Sequence, residues 1–162
     1  MNQPSMPRNV ALAAVAAMLL VAAGCGSVRG YPGASRPAAE TATLRANPYW
    51  SGILATVRSV DGFKVNSQID LEVLAGERTL TLELGPASLQ SLQQAGRQTQ
   101  QMLAMTNAEW KTTTTITATF EAGTEYAISG SWSEPVYTVE IQRYDDRDVV
   151  TSTDVTATKG AF

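Results

Sequence analysis

The chain has 162 residues, with 12 basic and 15 acidic side chains and a net charge of −3, which is the length of one ordinary domain and a leader. It contains no histidine and one cysteine, which removes the commonest general base and metal ligand, any intrachain disulfide and any cysteine-based zinc site. A mildly acidic composition without a basic run argues against nucleic acid as a partner and against electrostatic attraction to anionic lipid headgroups.

Residues 10–23 read VALAAVAAMLLVAA, fourteen apolar residues without a charge. A spanning helix needs about 20, so the run is too short to cross a bilayer and has the length of a signal-peptide apolar helix. Arg8 is the only charged side chain before Cys25 and supplies the positive flank, with Met6 as an alternative start. The run ends in Ala22-Ala23-Gly24-Cys25, followed by Gly26 and Ser27. These residues resemble the bacterial lipobox, with Ala22 standing where leucine is usual. The resemblance implies cleavage between Gly24 and Cys25, a diacylglyceryl group on the Cys25 thiol and acylation of the new amine. It also implies, because Gly26 rather than aspartate follows, an outer-membrane anchor facing the periplasm. The other readings of Cys25 are a stray residue after an ordinary secretory signal and a buried free thiol.

Residues 26–40 (GSVRGYPGASRPAAE) are rich in Gly, Pro, Ala and Ser and read as a flexible tether over 25–40. The alternative is a loop that packs on the domain through Tyr31. From Thr41 the pattern changes to short strands: 41–45, 53–60 and 63–65, with Asp61-Gly62 between the last two as a hairpin signal. Segment 69–74 alternates, placing Ile69, Leu71 and Val73 on one face before a turn at Ala75-Gly76-Glu77. Segment 78–84 puts Leu80, Leu82 and Leu84 on one face and Thr79, Thr81 and Glu83 on the other. Gly85-Pro86 opens a segment with helical spacing, and the expected element is one inserted α-helix over about 87–105.

Segment 113–120 returns to alternation, with Ile116, Ala118 and Phe120 inward. Tyr126, Ile128 and Trp132 continue it through Gly130, a candidate bulge, until Pro135 interrupts. Tyr137, Val139 and Ile141 share a face of a further strand, and Asp145-Asp146-Arg147 reads as a turn before Val149-Val150. The predicted class is mainly β: an antiparallel β-sandwich over 41–150 with one inserted helix, preceded by the signal peptide over 1–24 and the tether, with a C-terminal tail over 151–162. The run 71–82 (LEVLAGERTLTL), an apolar strand reaching a Gly turn and returning as an alternating strand, resembles an element of small exported β-sandwiches including PEGA-type domains. That resemblance implies a fold and brings no catalytic residues.

No other motif points to chemistry. Asp145, Asp146 and Asp148 lack the turn glycine of a calcium loop, Ser129, Ser131 and Ser133 lack a base, and nothing in the sequence pairs a serine with Lys64, Lys111 or Lys159. Asp61 and Glu72 are the carboxylates to weigh for a hydrolase acting on glycan or peptide. Tyr49-Trp50, Trp110, Trp132 and Tyr137 are candidates for ligand stacking, and otherwise fill the core. The expected function is non-enzymatic: a lipid-anchored envelope protein with a binding or structural role, an envelope protein as its partner and no cofactor. The alternatives are the hydrolase and a carrier of small apolar ligands.

Overall fold

The computed structural model describes residues 28–87 and 110–159. Gly24, Cys25, the signal peptide and the helix expected from about 87 to 105 fall, beyond Ala87, outside the described residues. Ten strands follow in chain order: β1 (Val28–Arg29), β2 (Thr41–Ala46), β3 (Ile53–Val60), β4 (Phe63–Ser67), β5 (Leu71–Leu74), β6 (Gly76–Pro86), β7 (Thr112–Phe120), β8 (Glu125–Ser133), β9 (Val136–Arg143) and β10 (Val149–Thr156). They form two sheets, one of six strands in the order β1-β5-β2-β8-β9-β10 and one of four in the order β4-β3-β6-β7. This is a mainly β, sandwich-like fold. Most neighbours are antiparallel, but β1 with β5 and β2 with β8 run parallel.

The core is what period-2 alternation demands. Leu80, Leu82 and Leu84 of β6 are fully buried, as are Phe120 of β7 and Tyr137, Val139 and Ile141 of β9. Their neighbours Thr79, Thr117 and Thr119 are exposed. Each such aliphatic side chain contributes about 1.5–3 kcal/mol by leaving water, so the facing rows of β6 and β9 hold the sheets together. The Asp61-Gly62 hairpin forms as the sequence predicts, with φ of 47° and 82°, the paired positive values that such a turn requires. The Asp61 carboxylate locks it, accepting from the Thr79 amide at 2.9 Å and from Arg78 at 3.1 Å.

Several expectations are corrected. The stretch read as a tether is docked from Val28 on: the Val28 amide donates to the Asp70 carbonyl at 3.2 Å and the Gly30 amide to the Glu72 carbonyl at 2.7 Å. Tyr31 is buried and its hydroxyl bonds Glu72. A Gly/Pro-rich segment cannot build structure alone, but it adds to an edge already present. The Gly76 turn, at φ 99°, does not fold β6 back along β5. It carries the chain from the six-stranded to the four-stranded sheet. Ile69 is 60 % exposed because it precedes β5 rather than belonging to it.

Gly130 marks no bulge, since β8 and β9 keep register from Tyr126↔Arg143 to Ser133↔Val136. The glycine is needed for space: a Cβ there would run into the Thr138 carbonyl oxygen and lie 2.9 Å from Ile53 Cδ1. The tail expected over 151–162 is strand to Thr156, because Thr151–Thr156 pair with β9 and Ala157 closes the end, its amide on the Pro135 carbonyl at 2.8 Å.

Candidate functional site

The polar candidates are dispersed. Asp61 caps the β3–β4 hairpin in the four-stranded sheet, whereas Glu72 lies on β5 in the six-stranded one and holds the Tyr31 hydroxyl. Each carboxylate thus has a structural partner of its own. Asp145 and Asp146 accept from the backbone amides of Asp146 and Asp148, both at 2.9 Å, which is the bonding of a self-satisfied turn. Among the described residues no group of three acids is arranged to hold a metal ion. Ser129 is buried while Ser131 and Ser133 are exposed, and Lys111 pairs with Glu83 at 3.6 Å.

The aromatic candidates separate into two groups. Trp110, Trp132 and Tyr137 stack in sequence, with ring centroids 5.6 and 4.1 Å apart. The Tyr137 hydroxyl donates to the Trp110 carbonyl at 2.7 Å, and burial pushes its ionisation well above the ordinary phenol range. This group belongs to the core margin.

Trp50 lies elsewhere. Loop 47–52 is pinned by the Gly52 amide on the Gly130 carbonyl at 2.8 Å. The Trp50 ring meets Tyr49 at 5.0 Å and Tyr144 at 5.2 Å, and the Arg147 guanidinium lies 4.6 Å above it. Arg45 covers Tyr144 at 4.2 Å, and it also bonds Glu125 at 2.8 Å and pairs with Asp70 at 3.8 Å. The Glu125 hydrogen bond, opposed by partial burial, holds the Arg45 guanidinium above its ordinary range.

This aromatic–guanidinium layer explains a burial pattern that strand alternation does not. Tyr126 and Ile128 face the core, yet Ala127 and Ser129 on the opposite face of β8 are buried too. A second, smaller layer therefore covers the outer face of the six-stranded sheet. Two polar atoms, Trp50 Nε1 and Gln142 Oε1, are buried without a hydrogen-bond partner. A surface cleft of about 260 Å³ adjoins, lined by Gly123, Thr124, Glu125, Tyr144 and Asp145. Both rings that meet Trp50 and both guanidinium groups are engaged within the layer, which presents Tyr49, 81 % exposed, and Arg147 to solvent. The sequence singled out Trp50 but not Arg45, Tyr144 or Arg147. The outward position of Arg45 beside Leu44 was the one local signal available.

The remaining feature is the place where the chain enters the fold. Val28 stands three residues after Cys25, and its amide is tied to the turn before β5. That turn is bonded within itself: Ser67 Oγ accepts from the Ile69 amide and donates to the Ile69 carbonyl, both at 3.2 Å. Asn47 ties the turn to loop 47–52, its side-chain amide donating to the Gln68 and Ala55 carbonyls at 3.2 and 2.9 Å and its oxygen accepting from the Ala55 amide at 2.6 Å. Among the described residues no helix is long and apolar enough to cross a membrane. Comparison with protein families, with curated proteins and with solved structures found no match for this chain.

Proposed function

We propose that the chain is a lipid-anchored protein of the bacterial cell envelope, cleaved after Gly24 and acylated on Cys25, with a non-enzymatic binding or structural role beside an envelope protein. One observation carries the reading: the chain's only cysteine stands between its one long apolar run and the first strand of a folded domain. Acyl chains contribute about 0.8 kcal/mol for each buried methylene, and two or more anchor stably. The outer membrane, facing the periplasm, is the proposed location, on the strength of Gly26.

The separate commitments of Asp61 and Glu72 favour binding over carboxylate hydrolysis. The edge strand β10, with Val149 and Val150 exposed, suits a partner that adds a strand. Cys25→Ser tests the anchor. The variant is expected to lose incorporation of labelled palmitate and to move from the membrane to the soluble fraction. Unchanged labelling and fractionation would overturn the reading.

A further inference from the structure

The two most exposed large apolar side chains among the described residues are Tyr49, at 81 %, and Ile69, at 60 %. Both stand near the place where the chain enters the sandwich. Ile69 adjoins Asp70, whose carbonyl holds the Val28 amide, and Tyr49 is on the loop that Asn47 ties to Gln68. The Ser67 hydroxyl, bonding both backbone groups of Ile69, holds that residue in a tight turn, and its side chain stays in solvent. An isoleucine held out in this way is unfavourable in water and has no partner within the described fold.

Reach identifies the partner. Cys25 and Val28 are separated by three backbone steps of about 3.8 Å, so Val28 stands at most about 11 Å from the acylated residue. The headgroup layer of each leaflet is itself about 5–8 Å thick. A domain stitched to the sandwich at Val28 therefore has little slack above the bilayer, and the turn bonded to Val28 is brought to its surface.

We infer that the β1 edge of the sandwich, with Ile69 and Tyr49 beside it, seats directly in the interfacial layer of the membrane that holds Cys25. The inference rests on the proposed acylation of Cys25. The contact is apolar and interfacial rather than electrostatic: isoleucine enters the acyl boundary, and tyrosine keeps its hydroxyl at headgroup level, where such rings concentrate. The occupant is the chain's own bilayer. With the seat made, the domain rests on the membrane by its β1 edge, and β10, the far edge of the six-stranded sheet, is held away from it.

The test uses the full-length, acylated chain, whose only natural cysteine is consumed by lipid. Ile69→Cys provides one free thiol at the proposed seat. Val149→Cys provides one on β10, at the far edge of the six-stranded sheet, on a side chain of comparable exposure, 52 %. Each is labelled with a polarity-sensitive fluorophore in phosphatidylethanolamine–phosphatidylglycerol vesicles, with vesicle flotation run in parallel. The expected result is a blue-shifted Ile69 label, quenched at least threefold more by spin-labelled lipid than the Val149 label. Floating protein with equal quenching at both sites, or stronger quenching at Val149, overturns the seat and leaves the anchor intact. Protein that neither floats nor carries acyl label overturns both.

Discussion

Glu83 shows at the scale of one residue how the outer face of the four-stranded sheet is held. Its carboxylate accepts from Arg58, through Nε at 3.1 Å and through Nη2, and lies 3.6 Å from the Lys111 ammonium. The Arg58 hydrogen bond is the main cause of a carboxyl held below its ordinary 4.5, with partial burial opposing it and the two cations adding attraction. A group whose folded pKa is depressed contributes stability above its unfolded pKa, and the contribution disappears as pH falls through the folded value. Wild-type stability should therefore decline below about pH 4.5 more steeply than that of Glu83→Gln. At pH 7 the variant should be weaker by no more than about 1 kcal/mol, since Arg58 is substantially solvated. Denaturant titrations from pH 7 to pH 3 check this, and stability curves that stay parallel over the range would contradict it. Added salt should narrow the gap, as expected of a solvated pair.

The strand β1 belongs to the element scale. It has two residues, yet it is fixed by the Gly30 amide on Glu72 and by the buried Tyr31 ring, whose hydroxyl also accepts from the Arg36 amide at 3.1 Å. Tyr31→Ala should cost about 3 kcal/mol, by analogy with other buried aromatics, and should remove hydrogen-exchange protection from the Gly30 amide. Tyr31→Phe keeps the ring and should lose only about 1 kcal/mol. A Gly30 amide that exchanges freely in the wild-type protein would return residues 28–31 to the status of a tether. The same element shows what the sequence made legible. Alternation along β6, β7 and β9 gave the inward rows residue by residue, because a strand's side-chain period is a local property. Asp61-Gly62 gave its hairpin because only a few residue types tolerate those angles. β1 was not legible, since two residues carry no period and a Gly/Pro-rich composition reports a lack of self-structure, not a lack of partners. Nor was the crossing of the chain between sheets at Gly76, because a glycine with positive φ looks the same whether it ends a hairpin or turns a corner. The reading of Cys25 as a lipidation site rests on its sequence neighbours alone. The Trp50 layer was not legible, because Arg45 and Trp50 come from one stretch of chain and Tyr144 and Arg147 from another nearly a hundred residues on.

For the whole molecule the decisive strand is β2, at the centre of the six-stranded sheet between β5 and β8. Its pairing with β8 joins residues 80 apart, as the Arg45–Glu125 bond records. That sheet cannot close until a long loop has closed, and proteins dominated by such non-local pairing fold in milliseconds to seconds. Stopped-flow refolding of the chain lacking residues 1–24, followed through its three tryptophans, should show a main phase slower than about 1 ms. A complete submillisecond recovery would mean that β2 and β8 are not the late partners described. The path of the chain has a further, mechanical consequence. β1 runs parallel to β5, and the proposed anchor, Cys25, stands three residues before its first residue. A pull on Cys25 back along the axis of β1 loads the strand lengthwise, not across it. The Val28 and Gly30 hydrogen bonds share the load in shear while Tyr31, wedged behind them, must be drawn out of its pocket before either strand can slide. The two-residue strand, so loaded, acts as a barb that would pass force from the proposed anchor to the sandwich without peeling its edge.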